Sequence, residues 1–324
     1  MANYVVTGTA GFIGSRVSHM LLEEGHGVIG IDNLNSAYDI RLKEWRLNQL
    51  KNYPNFTFAR LDISDYKSLS AALENMDSIE AVINLAARAG VRASVEDPWV
   101  YVETNMTGTL NILELCRKHD IKKVVLASTS SLYGEHNPRP YQEDAITDKP
   151  LSPYAASKKG AEAMCYTYHY LYGIDVTVVR YFTVYGPAGR PDMSIFRFVK
   201  WISEEHPLLV YGDGYQERDF SYIDDIARGT IASLKPLGYE IINLGSDSPI
   251  VLNDVIGMIE KLTGKQALIE RQPRHSADVF ATWANINKAK KLLDWIPQVS
   301  FEQGVRNAIV WYQKNYDWLK DIKT

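Results

Sequence analysis

From residue 4 to residue 182 the chain alternates short apolar runs with longer amphipathic stretches, and few folds tolerate that alternation. YVVTG precedes FIGSRVSHMLLEE, GVIGID precedes IRLKEWRLNQL, and FTFARLD precedes YKSLSAALENM; the rhythm continues through AVINLAA, VVLAST and DVTVVRYF. Strands that are apolar on both sides need cover on both faces, and helices returning between parallel strands provide it. The expectation is a doubly wound α/β fold with a parallel sheet, of the Rossmann type, over residues 1–180. Residues 221–246 are expected to rejoin it. Beyond residue 180 the pattern becomes irregular: a loop at 183–192, helices at 194–204, 222–234, 251–262 and 302–317, and a strand EIINLG. Residues 181–220 and 247–324 read as a smaller mixed α/β lobe that binds the substrate.

At 324 residues and 46% hydrophobic content the chain can bury a full core. The formal net charge of -4 comes from interspersed acids and bases. No basic run suits a phosphate backbone or an anionic membrane, so nucleic acid and membrane are not expected partners. The start MANYVVTGTAGFIG lacks a leader pattern, and no run of about 18 apolar residues occurs, so a cytoplasmic protein is expected. Cys116 and Cys165 are too few for a disulfide framework or a metal cluster and read as core residues; no metal site is expected.

Gly8, Gly11 and Gly14 sit where the first strand turns into the first helix. Such a turn lets the backbone approach a diphosphate while the helix N-terminus offers free N–H groups to it. Asp32 ends the second strand, eighteen residues after Gly14, where a carboxylate binds adenosine ribose hydroxyls and repels the 2′-phosphate of NADP. NAD is therefore the expected cofactor. Asp62 after the third strand, and the NLAAR segment ending the fourth, should face the same crevice; for Asp62 the alternative is a helix N-cap.

VVLASTSSLYG ends another strand with Ser128, Thr129, Ser130 and Ser131. Buried hydroxyls need caps or a ligand. Further on, SPYAASK places Tyr154 and Lys158 one turn apart on a helix begun by Pro153. A neighbouring ammonium would favour the phenolate and make Tyr154 a base near neutrality.

Taken together, the glycine turn, the hydroxyl-Y-G strand end, the Y-x-x-x-K pair and the R-Y-F-x-x-x-G-P loop resemble extended short-chain dehydrogenase/reductases acting on nucleotide sugars. The resemblance covers nearly the whole chain. It implies Tyr154, Lys158 and Thr129 as catalytic residues. It implies a cofactor set of Gly8, Gly11, Phe12, Ile13, Gly14, Asp32, Asn33, Asp62, Ile63, Leu85, Ala86, Ala87, Arg88 and Asn105, together with Tyr154, Lys158 and Tyr181. ERDFSYIDDIARG resembles the stretch whose arginine, here Arg218, binds the diphosphate of the sugar nucleotide. RHSADVFATWANINKAKKLLDW resembles the one whose acid, here Asp278, binds the uridine ribose. Arg274 stands four residues before Asp278, wider than the family's R-x-x-D spacing, and is not assigned to the diphosphate.

Members of this family oxidise the sugar at C4 and differ in the fate of the resulting keto sugar. Dehydratases carry Asp-Glu after the strand-end Thr and uronate decarboxylases carry Ser-Glu, whereas this chain has Ser130 and Ser131. The remaining course is epimerisation. The combination of DNLNSAYD-x-R-L-K, AAxAGVR and YFTVYGP-x-GRPDM looks like the epimerases acting on UDP-glucuronate. Arg190 and Thr183, with Ser130 and Ser131, are the candidate ligands of the C6 carboxylate, and Arg92 a further one in the sugar pocket. For Arg190 the alternative is a surface pair with Asp192. A UDP-glucose or UDP-N-acetylglucosamine 4-epimerase and a UDP-glucuronate decarboxylase remain alternatives. A homodimer through helices near 98–118 and 153–171 is implied by the same resemblance.

Overall fold

The apolar runs become the strands of one parallel sheet in the computed structural model, which describes residues 1–74, 78–274 and 278–324. They are β1 (Asn3–Thr7), β2 (Gly27–Asp32), β3 (Phe56–Arg60), β4 (Ile79–Asn84), β5 (Lys123–Thr129) and β6 (Asp175–Tyr181). With β10 (Tyr239–Leu244) they form a seven-stranded sheet in the order β10-β6-β5-β4-β1-β2-β3. Every pairing is parallel. Strand order reverses between β1 and β4, so the crevice at their carboxyl ends is the place for a ligand.

Alternation along β1 divides the core. Tyr4 and Val6 pack on one face with Val17 and Leu21 of helix α1 (Phe12–Glu23) and Ile226 of the helix Ile223–Ala232. Val5 packs on the other with Leu69 of a later helix, Ile112 of Gly108–Lys118 and Cys165 of Pro153–Tyr172. Local chemistry sets the helix starts. Asp39 caps α2 (Ile40–Leu50) by accepting from Arg41 N, and Asp65 caps α3 (Tyr66–Leu73) by accepting from Ser68 N. Ser152 caps the Pro153–Tyr172 helix, which Gly173 closes at φ 67°. The sequence pattern carries α3 through residues 75 and 76, which lie outside the described residues.

The remaining strands build smaller sheets. β7 (Thr183–Tyr185), β9 (Glu217–Tyr222) and β11 (Pro249–Val251) pair in the order β11-β9-β7, and β8 (Pro207–Tyr211) pairs with β12 (Leu268–Gln272). Helices Ser194–Ser203, Leu252–Thr263 and Phe301–Lys314 enclose a separate apolar cluster beside them.

Three expectations change. The stretch read as a loop at 183–192 begins with a strand, because Thr183 pairs with Phe220. The helix read over 302–317 is Phe301–Lys314 followed by a short turn Tyr316–Leu319. The helix read near 98–118 is broken into Trp99–Tyr101, a π-helical turn Val102–Thr107 and Gly108–Lys118.

Asp219 fastens the smaller sheet to its surroundings. Its fully buried carboxylate accepts from Ser246 N (2.6 Å), Ser246 Oγ (2.9 Å), Asp247 N (3.1 Å) and Ala284 N (3.0 Å). Removing it strands the backbone donors that converge on it, so Asp219→Ala should cost about 3 kcal/mol or more. The urea midpoint of the variant against the parent chain measures this, and an unchanged midpoint would contradict it.

Candidate active site

A cavity of about 800 Å³ opens at the carboxyl ends of the sheet strands and runs on between them and the smaller sheets. At one end lies the glycine turn. Gly8 has φ 69°, and a Cβ there would stand 2.8 Å from Ala86 N; at Gly14 it would stand 2.0 Å from Gly8 O. Only glycine lets the turn fold onto itself and onto the end of β4. Gly11 at the N-cap supplies no side-chain cap, which leaves the first amides of α1 to a ligand. Phe12, Ile13, Ile63, Leu85, Ala86, Ala87 and Tyr181 all line this cavity.

Asp32 and Asn33 line it too. Asp32 accepts from Ala10 N (3.1 Å) and Leu34 N (2.8 Å), which fixes its carboxylate beside the glycine turn. Asp62 is not the cap of α3, a role that Asp65 takes. It accepts from Ser64 N and Oγ and from Asn33 Nδ2. Burial alone would raise its pKa, but these hydrogen bonds outweigh burial and hold it below the usual carboxylate value.

Asn105 and Arg88 do not line the cavity. Asn105, buried on the π-helical turn, accepts from Arg88 N (2.9 Å) and donates to Arg88 O (3.0 Å) and Ser157 Oγ (2.9 Å). Its amide is spent on holding the wall to the Pro153–Tyr172 helix. The Arg88 guanidinium instead reaches Asn35 Oδ1 at 3.3 Å.

Deeper in the cavity the four hydroxyls after β5 divide. Ser128, which also borders the cavity, donates its hydroxyl to Glu162 Oε1 (2.6 Å). Thr129 accepts from Ser131 N (3.2 Å), and Thr129, Ser130 and Ser131 line the cavity with Tyr154 and Lys158. The expectation that Lys158 would lower the Tyr154 pKa is not met. Burial pushes the phenol up, and the groups pulling it back are Thr129 and Arg190. Lys158 is itself pushed down to about 8 by burial, with Glu162 working against that. Its charge is answered one helical turn further on.

Glu162 is the centre of that turn. It receives Arg180 Nε (2.9 Å) and Nη2 (2.8 Å), and both side chains are almost fully buried. Arg180 Nη1 also donates to Tyr133 OH (3.0 Å), whose hydroxyl donates on to Asn243 Oδ1 (2.7 Å). Arg180, buried at the end of β6 and bonded to Glu162, is structural.

At the far end stand Thr183, Arg190, Arg92, Arg218 and Asp278. Arg190 pairs with Asp192 through Nε (3.0 Å) and Nη2 (2.5 Å), inside the cavity and not on the surface. Arg92 and Asp278 pair with each other, and Arg92 lies 3.9 Å over the Tyr211 ring. Arg218 donates to the carbonyls of Glu217 (2.8 Å) and Phe280 (3.0 Å), and burial pushes its pKa down. Arg274 pairs with Glu135. Among the described residues no group of acids, histidines and cysteines is arranged to hold a metal ion.

Residues 4–245 match the model of the NAD dependent epimerase/dehydratase family. The chain belongs to that family. It is 61% identical over its full length to a UDP-glucuronate 4-epimerase of Thermodesulfobacterium geofontis, all of which it covers. Among solved structures it is similar to the UDP-glucuronic acid 4-epimerase of Bacillus cereus in complex with UDP-glucuronic acid and NAD. That match has 38% identity and a TM-score of 0.91, over 97% of this chain and 100% of the other. It is also similar to a UDP-glucose 4-epimerase of Thermotoga maritima with UDP-glucose, at 32% identity and a TM-score of 0.90, over 97% of this chain and 99% of the other.

Sequence reasoning missed two cations of this family member. Lys43 lines the cavity, and Arg46 is buried behind the glycine turn. Arg46 donates to Ala188 O, Gly189 O and Ala10 O, so it staples the loop carrying Arg190 to that turn. Both lie on α2, where they read as an ordinary solvated helix face; the segment D-x-R-L-K marks Lys43 only as part of a signature.

Glu162→Gln keeps the shape of the carboxylate and removes its charge, leaving Arg180 buried without a counter-ion. The expected loss is about 3 kcal/mol, read by urea unfolding. The Lys158 ammonium should then titrate lower than in the parent chain, because Glu162 is the first group holding it up.

Proposed function

We propose that this chain is an NAD-dependent C4 epimerase of UDP-sugars that interconverts UDP-glucuronate and UDP-galacturonate through a transient 4-keto sugar. The observation that carries the reading is the pair of plain hydroxyls, Ser130 and Ser131, standing with Thr129 and Tyr154 on one cavity where a dehydratase or decarboxylase needs an acid. Residues 181–220 and 247–324 are taken as the lobe that holds the sugar nucleotide. The glycine turn, the uncapped start of α1 and the fixed Asp32 fit NAD. Bound there, NAD would supply a reversible hydride acceptor for C4 and a positive charge.

Tyr154 removes the proton of the 4-hydroxyl and later gives it back. Its pKa is raised in the cavity by burial, so it is a phenol until positive charge arrives beside it. Thr129 donates to the 4-oxygen and Lys158 holds the nicotinamide ribose. Thr183, Ser130, Ser131 and Arg190 take the C6 carboxylate. Asp192 occupies Nε and Nη2 of Arg190, which fixes the guanidinium plane and leaves Nη1 for the sugar. That grip matters, because a 4-keto uronate is a β-keto acid and loses carbon dioxide when its carboxylate bond stands perpendicular to the carbonyl plane. Arg218 is the ligand of the UDP diphosphate and Asp278 of the uridine ribose, once Asp278 exchanges Arg92 for the hydroxyls.

A cytoplasmic homodimer completes the reading. Trp99, Tyr166, Tyr170 and Leu171 are large, exposed and apolar on the segments Trp99–Tyr101 and Pro153–Tyr172. A second copy of the chain is the occupant that would cover them. Sedimentation should give twice 36.7 kDa, and Tyr170→Glu should shift it toward one chain.

With UDP-glucuronate and NAD, UDP-galacturonate should accumulate without carbon dioxide, and turnover should exceed that on UDP-glucose and UDP-N-acetylglucosamine. Tyr154→Phe should lower turnover by roughly a hundredfold to ten-thousandfold with the melting temperature unchanged. Arg190→Ala should lose turnover and release carbon dioxide. Carbon dioxide in step with a pentose product from the parent chain would mean a decarboxylase.

A further inference from the structure

Arg46 is 2% exposed, and all of its donors are spent on neutral oxygens. Nε and Nη2 both donate to Ala188 O (3.0 and 2.6 Å), and Nη2 donates also to Gly189 O (3.0 Å). Nη1 donates to Ala10 O (3.3 Å) and to Tyr38 OH (2.7 Å). Burying a charge on neutral oxygens is expensive, and an apolar side chain would fill this place at lower cost. What the guanidinium contributes is position, because its N–H groups form a rigid planar fork.

The carbonyls that it grips come directly before Arg190. Ala188 stands at φ 53°, a left-handed conformation that is costly for alanine. On the other side the anchor is the glycine turn, where Ala10 accepts from Arg46 and donates its own N–H to Asp32 (3.1 Å). Asp192 orients the Arg190 guanidinium, but it lies two residues along the same loop and moves with it. The contact of Arg190 with the segment after β4, Nη2 to Ala89 O, is long at 3.4 Å. Arg46 comes from α2, away from that loop in sequence, and does not line the cavity.

We propose that Arg46 is a positioning residue for substrate selection: through the carbonyls of Ala188 and Gly189 it sets where Arg190 stands, and so makes the cavity prefer a C6 carboxylate over a hydroxymethyl group. The inference rests on the reading that Arg190 takes the C6 carboxylate. A charge-assisted hydrogen bond is stronger than a neutral one, and both weaken steeply away from their preferred length and angle. A displaced Arg190 therefore loses more on a carboxylate than on a hydroxyl. Lysine at 46 cannot substitute, since a single ammonium lacks the fork that spans two successive carbonyls and the glycine turn.

The test is calorimetric titration of the full chain, saturated with NAD, with UDP-glucuronate and with UDP-glucose. Both ligands share the UDP moiety, so affinity for UDP-glucose reports any general loss of the fold. The parent chain should favour UDP-glucuronate, and Arg46→Lys should weaken it about tenfold or more, the worth of one charge-assisted hydrogen bond. UDP-glucose should change by less than about threefold. Arg46→Gln, which avoids burying an ammonium, should shift the ratio likewise and keeps the test readable if lysine unsettles the fold. In an Arg190→Ala background the Arg46→Lys change should no longer discriminate between the two sugars, because the residue through which it acts is gone. Equal weakening of both sugars, an unchanged ratio in both variants, or the same discrimination with Arg190 absent overturns the proposal and leaves the epimerase reading standing. A parent chain that binds the two sugars equally, or binds neither, removes the reading that Arg190 takes the carboxylate and the proposal with it.

Discussion

The ion pair of Glu162 and Arg180 is the interaction around which the catalytic half of the molecule is arranged. It joins the Pro153–Tyr172 helix to β6, takes the Ser128 hydroxyl from the end of β5, and reaches β10 through Tyr133 and Asn243. Two charges buried this deeply cost more than their attraction returns unless the remaining donors and acceptors are used. Here Ser128, Tyr133 and the Glu143 carbonyl take them up, so the pair sets position. Lys158 and Tyr154 lie one and two turns before Glu162 on that helix. The registry that satisfies the ion pair therefore also presents Tyr154 and Lys158 to the cavity.

A second constraint sits at the other end of the cavity. The glycine turn folds so tightly that a Cβ at Gly14 would overlap Gly8 O, and Arg46 then ties that turn to the loop carrying Arg190. One guanidinium thereby couples the glycine turn at one end of the cavity to the loop that carries Arg190. The loop RYFTVYGPAGRPDM is dense because it must end a strand, begin another and hold Arg190 against Asp192 within a few residues.

The parallel sheet and its glycine turn were legible because apolar periodicity and a turn without side chains are properties of consecutive residues. So was the Tyr154 and Lys158 pair, since one helical turn fixes which residues share a face. What was not legible depended on partners distant in sequence. Thr183 looks like loop until Phe220 pairs with it, Asn105 looks like a ligand until Arg88 occupies its amide, and Lys43 looks solvated until Asn35 folds over it. The sign of the Tyr154 shift failed for the same reason. A neighbouring lysine is visible in the pattern, whereas the burial that raises the Tyr154 pKa is a property of the assembled cavity.

That burial has a chemical consequence. An enzyme that oxidises and reduces the same carbon must not expose a strong base to water before the substrate is enclosed. In this cavity the phenol of Tyr154 is held up by desolvation, and the Lys158 ammonium is held down by it. Both groups are thus biased toward their neutral forms until opposite or additional charge is brought to them. The oxidised nicotinamide and the diphosphates of the two ligands are such charges. Burial therefore makes the Tyr154 phenol a weaker acid and the Lys158 ammonium a stronger one, and positive charge beside the first and negative charge beside the second would reverse those shifts.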